Sequence, residues 1–190
     1  MEKLINKMNY LSDRNNRTVI AIDGRCCSGK TTLALKLSSL FNCSIVKIDD
    51  FFLPKKTQKK MDDSDIAGNI DKARFIKDVI KPLKNNKEIV YKRYDCMLDK
   101  FTEQKYISEE KIIIIEGVYA LYPTFRFAYH LSIFLDVDKD IQMKRLINRE
   151  EEEKVKIFLN KWILKEEAYF KAYAPQLICD YYFNTSNWEE

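Results

Sequence analysis

An α/β fold, with a mainly parallel central sheet flanked by helices, is predicted by three features of this 190-residue chain. Short apolar, β-branched runs alternate with segments of helical period, the pattern of strand–helix–strand units. The strongest run, Lys111-Ile112-Ile113-Ile114-Ile115, is apolar on both faces, as a central strand covered by helices on both sides requires. Gly24-Arg25-Cys26-Cys27-Ser28-Gly29-Lys30-Thr31 fits the spacing G-x-x-x-x-G-K-[ST] and stands between a strand-like run and a helical one.

The elements follow in order. Residues up to about Tyr10 read as a short amphipathic helix leading into the first strand, Thr18-Val19-Ile20-Ala21-Ile22-Asp23. Residues 32–41 are helical, with leucines at i, i+2, i+4 and i+7. Ser44-Ile45-Val46-Lys47-Ile48 is a second strand, ending at Asp49-Asp50. From Phe51 to Ile70 the chain is polar and lysine-rich and reads as a loop. Ala73 to Lys81 reads as a helix that Pro82 stops. Glu88-Ile89-Val90-Tyr91-Lys92 is a short strand followed by an irregular polar stretch. After the isoleucine run comes Leu131-Ser132-Ile133-Phe134-Leu135, then a helix over Lys139 to Arg149 and a charge run over Glu150 to Lys154. Val155 to Tyr169 is again helical in period, and Tyr181-Tyr182-Phe183 is the last strand. The length suits one domain over residues 1–190, with a small lid at about 145–172.

Composition narrows the function classes. With 46% hydrophobic and 13% aromatic residues the chain can bury a sizeable core, which excludes disorder. The net charge of +4 comes from 33 basic and 29 acidic residues, too balanced for nucleic acid or membrane to be the main partner. The cluster Lys55-Lys56-Thr57-Gln58-Lys59-Lys60 reads as a solvated loop. Residues 1–7 hold no apolar signal core and no apolar run reaches membrane-spanning length, so a soluble cytoplasmic protein is the expectation. Five cysteines at unpatterned spacing do not suggest a disulfide framework. Cys26 and Cys27 read as small loop residues, with sensitivity to oxidation a side role, and not as zinc ligands. His130, the single histidine, reads as a packing residue at the start of a strand.

The glycine-framed segment carries the chemistry. Its glycines let backbone N–H groups approach a polyphosphate, Lys30 supplies a point charge, and Thr31 offers a hydroxyl to magnesium. The helix that follows adds its positive end. Gly24, Arg25, Cys26, Cys27, Ser28, Gly29, Lys30, Thr31 and Thr32 are therefore the expected nucleotide-binding residues, with ATP and Mg²⁺ the expected cofactors. In an open parallel sheet ligands sit beyond the carboxyl ends of the strands. The second strand ends in Asp49-Asp50-Phe51-Phe52 and the third in Glu116-Gly117. An acid after a central strand can hold magnesium, directly or through water, opposite Thr31, and one on the neighbouring strand can accept a proton from an attacking hydroxyl. Cap and turn roles for Asp49 and Asp50, and a solvated strand end for Glu116, remain open at this level.

Four segments resemble one kinase family. Asp49-Asp50-Phe51-Phe52-Leu53-Pro54 resembles the Asp-x-Phe segment of the uridine kinase, phosphoribulokinase and pantothenate kinase superfamily, and Ile115-Glu116-Gly117-Val118-Tyr119-Ala120-Leu121 is similar to its Glu-Gly-Ile segment. Asn69-Ile70-Asp71 followed by Phe75, and the pair Tyr94-Asp95, resemble stretches of the uridine kinase branch. The order holds from about Val19 to Arg149. The resemblance implies a P-loop NTPase fold and an ATP-dependent phosphotransferase acting on the 5′-hydroxyl of uridine or cytidine. It implies that Asp49 accepts the hydroxyl proton, Asp71 binds ribose hydroxyls, Tyr94 lines the base pocket and Glu116 serves the magnesium or the acceptor. It makes Arg145 and Arg149 lid arginines for the transferring group; at i, i+4 they share a helix face, where pairing with Glu150 to Glu153 is the alternative.

Those kinases place a histidine soon after the Tyr-Asp pair, whereas this chain has Cys96-Met97-Leu98-Asp99-Lys100. Pantothenate, a sugar phosphate or another small alcohol is therefore the alternative acceptor. A non-catalytic nucleotide switch ranks lower, because Glu116-Gly117 stands where a GTPase needs Asp-x-x-Gly, and Asn160-Lys161-Trp162-Ile163 lacks the aspartate of a guanine reader. The expected partner is a small nucleoside-like acceptor, and self-association into a homo-oligomer is left open. Residues 162–170, with Lys161, Lys165, Glu166 and Glu167, resemble a segment of bacterial uridine-kinase-like proteins and receive no role beyond covering the nucleotide site.

Overall fold

The computed structural model describes residues 1–58, 65–108 and 110–188. Helix α1 (Glu2–Arg14) runs past its expected end near Tyr10 and buries Leu4 and Met8. Strand β1 (Thr18–Gly24) is buried along its whole length. Helix α2 (Lys30–Phe41) starts directly from the glycine-framed loop and turns Leu33, Ala34 and Leu37 inward, leaving Leu35 and Leu40 in solvent. Strand β2 (Ser44–Lys47) is one residue shorter than expected, because Ile48–Phe51 tightens into a 3₁₀ turn that carries Asp49 and Asp50. A short helix α3 (Lys55–Gln58) follows; Lys59 and Lys60 of the basic cluster lie outside the described residues.

Pro82 does not stop the next helix. Helix α4 (Lys72–Phe75), a π-helical turn (Ile76–Ile80) and helix α5 (Lys81–Lys84) form one continuous rod. The Lys81 N–H reaches back to the Ile76 carbonyl, five residues rather than four. That widened turn changes the ladder just where the proline ring would collide with a carbonyl and where its missing N–H would leave a gap.

The stretch after Lys92 is not irregular. Strand β3 (Ile89–Asp95) and strand β4 (Lys100–Ile107) pair antiparallel as a hairpin, with a register shift between Lys92 and Tyr94. Strand β5 (Ile112–Glu116), strand β6 (Leu131–Asp136) and helix α6 (Lys139–Arg149) fall where the pattern places them. Helix α7 (Glu152–Ile157), a second π-helical turn (Phe158–Trp162) and helix α8 (Ile163–Tyr173) extend the expected helix at both ends. A turn of helix, α9 (Pro175–Ile178), leads to strand β7 (Tyr181–Asn184).

The main sheet has the order β2-β5-β1-β6-β7, and every pairing in it is parallel. Its strands alternate side chains between two apolar layers. Ile112 and Ile114 face the layer built with Leu4, Met8, Leu33 and Leu37. Ile113 and Ile115 face the layer that holds Phe51, Phe75, Phe125 and Tyr169. Phe75 packs between Phe51 and Phe125, with ring centroids 4.9 and 4.6 Å away. Central β1 therefore ends between β5 and β6, so the loop it feeds opens at the carboxyl end of the sheet. His130 closes the lower end of β1: its Nδ1 accepts the Val19 N–H at 3.0 Å, the packing role expected of it. Among the described residues no helix is long and apolar enough to cross a membrane.

Candidate active site

The loop leaves β1 at Gly24, whose φ of 141° only glycine adopts without strain. Its shape is held by local bonds. The Lys30 ammonium donates to the carbonyls of Gly24 and Arg25 at 2.8 and 2.6 Å, folding back over the loop. Cys27 takes a φ of 60°, a left-handed conformation unfavourable for a residue with a Cβ. The two thiols stand 3.6 Å apart.

Two strand ends bring expected acids to this loop. Glu116, at the end of β5 and 5% exposed, accepts a hydrogen bond from the Thr31 hydroxyl at 3.1 Å. Burial pushes its carboxyl upward, the nearby charge of Asp49 adds to the shift, and Lys30 opposes it. Asp49 has an exposed side chain on the 3₁₀ turn after β2. Desolvation of the carboxylate by the protein around it raises it as well, against the pull of Lys30 and with a further push from Asp50. Lys30, Asp49 and Glu116 thus act on one another electrostatically across one small space. Asp50 points the other way: it is buried, accepts the Tyr91 hydroxyl at 2.9 Å and pairs with Arg93 at 3.4 Å.

The remaining expected residues are dispersed around this centre. Asp71 caps α4, accepting the Arg74 N–H at 3.0 Å, and lies 3.6 Å from the Arg74 guanidinium. The preceding residue, Ile70, forms an isolated antiparallel bridge with Phe52. Tyr94 is buried and donates its hydroxyl to Asp99 across the hairpin turn. In the same turn Cys96 lies close enough to Asp49 for that carboxylate to raise its thiol, after burial itself, to about 11. Arg145 braces the outer side of the loop, donating to the Cys27 carbonyl at 3.3 Å and to the Thr185 carbonyl at 2.9 Å. Arg149 reaches the Cys26 sulfur at 3.5 Å, pairs with Glu150 at 3.1 Å and lies over the Phe158 ring. Both arginines therefore meet the loop, and Arg149 is also paired with the acidic run.

A second set of bonds around the loop was not foreseen from the sequence, which gave Glu166 and Glu167 only a covering role and did not pair Arg25. Asp23 is fully buried and accepts the N–H groups of Gly24 and Leu121 and the Tyr169 hydroxyl, at 2.6, 2.8 and 2.8 Å. Arg25 is held by Asp136 at 2.7 Å and by Glu167 of α8, and stacks on Phe170. Glu166, 2% exposed, accepts the Cys26 N–H at 2.7 Å, while Gln142 of α6 donates to the Cys26 carbonyl at 3.1 Å. Thr185 donates to the Ser28 carbonyl at 3.0 Å. The signal for Glu166 was legible: with Tyr169, Phe170 and Tyr173 it falls at i, i+3, i+4 and i+7, a carboxylate on an otherwise aromatic face.

These buried acids make stability depend on pH. Burial raises Asp23 from 3.8 to about 6 and Glu166 from 4.5 to about 7. The folded protein therefore binds these protons more tightly than the unfolded chain. Their stabilisation is complete below about pH 4 and is lost as the pH rises through about 6 and 7. The Cys26 thiol, lowered to about 6 by its bond with Cys27 and by Arg149 and Lys30, works in the opposite sense only above that value. Each carboxyl contributes on the order of 2–3 kcal/mol. The melting temperature is expected to fall by about 5 °C or more between pH 5 and pH 7; a buffer series in scanning fluorimetry checks this, and a rise over that interval contradicts it.

The model of the phosphoribulokinase / uridine kinase family matches residues 19–177. Uridine-cytidine kinase D of Dictyostelium discoideum is 29% identical over 127 residues, covering 65% of this chain and 25% of its own length. The uridine kinase of Schizosaccharomyces pombe is 30% identical over 148 residues, covering 69% of this chain and 31% of its own. The chain thus spans about a quarter to a third of the length of these curated relatives. In fold it is similar to a possible uridine kinase from Bacillus stearothermophilus, with a TM-score of 0.70, 20% identity, and 95% and 99% of the two chains covered. It is also similar to the D-glycerate 3-kinase of Cryptococcus neoformans, with a TM-score of 0.62, 13% identity, and 86% and 84% covered. At these identities the structural likeness is one of fold.

Proposed function

Since the chain belongs to the phosphoribulokinase / uridine kinase family, we propose that it transfers the γ-phosphoryl group of ATP to a small-molecule hydroxyl, first among them the 5′-hydroxyl of uridine or cytidine. One observation carries the reading: Glu116 hydrogen-bonds Thr31 while Asp49 and Lys30 act on Glu116 through space, all at the mouth of the glycine-framed loop. In this reading Gly24 to Thr32 receive the nucleotide. Lys30 leaves the loop carbonyls to meet the outer phosphates. Asp49, open to solvent and raised toward the proton-accepting range, orients the acceptor hydroxyl and takes its proton. Arg149 meets the charge that develops on the transferring group, and Arg145 holds the loop beneath it.

The donor set suits magnesium, since a hydroxyl and a carboxylate within 3.1 Å of each other are hard oxygen ligands of the kind that ion takes beside phosphates and water. When bound it would supply charge neutralisation between the phosphates, held by Thr31 and Glu116. Rate enhancement comes mostly from positioning and electrostatics, as in phosphoryl transfer generally. We further propose one domain, with α7 and α8 as the lid and Asp71 and Tyr94 on the acceptor side.

A second acceptor class is favoured by one feature. The hairpin turn places Cys96 within electrostatic reach of Asp49, and its residues 96–100 contain no histidine where the uridine kinase branch has one. Pantothenate, a sugar phosphate or another small alcohol fits that wall as well. The test is incubation of the purified protein with Mg-ATP and a mixture of nucleosides, pantothenate and sugars, followed by mass spectrometry. Phosphate gained by a nucleoside supports the first reading and phosphate gained by another alcohol the second. No gain by any of them, from folded protein that binds ATP, rejects both.

A further inference from the structure

The face of α8 that carries Glu166 has no part in the reaction described above. Its geometry nevertheless converges on one peptide of the phosphate loop. The Cys26 N–H donates to Glu166 at 2.7 Å, and the Cys26 carbonyl accepts from Gln142 at 3.1 Å. Gln142 also donates to Glu166 at 3.2 Å, so the two side chains from α6 and α8 form a closed grip on both ends of one residue. The next residue, Glu167, holds Arg25.

This grip acts where the loop needs it. Cys27 sits at a φ of 60°, which a residue with a Cβ adopts only when its surroundings enforce it. Freed of its partners, the Cys26–Cys27 backbone would relax, and the N–H groups that follow would no longer point together at one anion. Glu166 itself is buried, and its partners leave it no other evident task.

We infer that Glu166 is a positioning residue for nucleotide: by holding the Cys26 peptide it couples α8 to the phosphate loop and keeps the loop shaped for phosphate. The inference rests on the reading of the loop as a nucleotide site. It has a consequence that a merely structural glutamate lacks. The carboxylate lies one peptide from the cradle, so an arriving triphosphate meets its negative charge. Lys30 and Arg25 of the loop oppose that charge, the Cys26 thiol adds to it, Tyr119 after β5 faces it, and Gln142 is neutral. Burial brings its titration to about 7, so nucleotide binds best to the form protonated below that value.

The test uses the full chain, Mg-ADP and titration calorimetry from pH 6 to pH 8.5. Glu166→Ala removes the acceptor and is expected to weaken binding about tenfold or more. Glu166→Gln keeps an oxygen for the Cys26 N–H and is expected to bind within about threefold of wild type at pH 6. The nucleotide's own titration cancels in the ratio of wild-type to Glu166→Gln dissociation constants. That ratio should rise several-fold toward pH 8.5. Folded Glu166→Ala with wild-type affinity overturns the inference, as does a Gln variant as weak as Ala. If the Ala variant does not fold, a ratio constant with pH overturns it alone. Wild type that binds no nucleotide at any pH overturns the nucleotide reading instead, and the inference with it.

Discussion

Asparagine in place of Asp49 is expected to lower turnover by about a hundredfold or more while leaving ATP affinity close to wild type. The substitution keeps the size and the hydrogen-bonding reach of the side chain and removes its ability to take a proton. Asp49 is open to solvent on the turn after β2, so the fold does not depend on its charge. Desolvation of its carboxylate and the repulsion of Asp50 together outweigh the attraction of Lys30, so removing the charge relieves more than it loses. Stability should therefore be unchanged or slightly higher. Turnover with the acceptor found by mass spectrometry, together with ATP binding measured separately, checks the prediction. Unchanged turnover would remove Asp49 from the proton-accepting role and leave Glu116 as the carboxylate to examine.

Gly24→Ala is expected to abolish stable folding, whereas Gly29→Ala is expected to cost little. Both glycines lie at positive φ, 141° and 86°, yet their surroundings differ. A Cβ on Gly24 would come within 2.0 Å of the Leu135 carbonyl oxygen, a backbone atom of the neighbouring strand that cannot step aside without breaking the β1–β6 pairing. A Cβ on Gly29 would meet nothing within 4 Å, so only the conformational penalty of about 1–2 kcal/mol remains. Thermal unfolding distinguishes them: Gly24→Ala should melt at least 10 °C lower or fail to accumulate, and Gly29→Ala should fall by a few degrees. Equal losses would mean that the fixed spacing of the loop reflects backbone angle alone.

What the sequence made legible follows from where side chains are buried. The isoleucines of β5 and the apolar run of β1 are covered on both faces, so composition alone marks them as central strands. Lys30 and Thr31 were marked by the fixed spacing of the loop after β1 and Glu116 by the end of β5, whereas Asp49 follows β2, a partly buried edge strand that stands out less in the sequence. Strand β4 was not readable, since it is exposed over most of its length and its pairing with β3 needs no apolar face. Pro82 misled because a π turn is invisible to a rule written for ladders of four. Asp71 illustrates a different limit: one short carboxylate serves equally as a helix cap and as a ligand for hydroxyls, and in the structure it caps. Glu166 was placed over the nucleotide site but given no bond to make, because its partners Cys26 and Gln142 are distant in sequence.

The bonds that finish the phosphate loop come from far along the chain. Glu166 and Thr185 reach residues 140 and 157 positions before them. During synthesis the loop thus leaves the ribosome long before the segments that set its shape, and local contacts alone cannot complete it. A nascent chain should remain unable to retain nucleotide until α8 and the segment through Thr185 have emerged, which separates the making of the loop from its first capture of ligand.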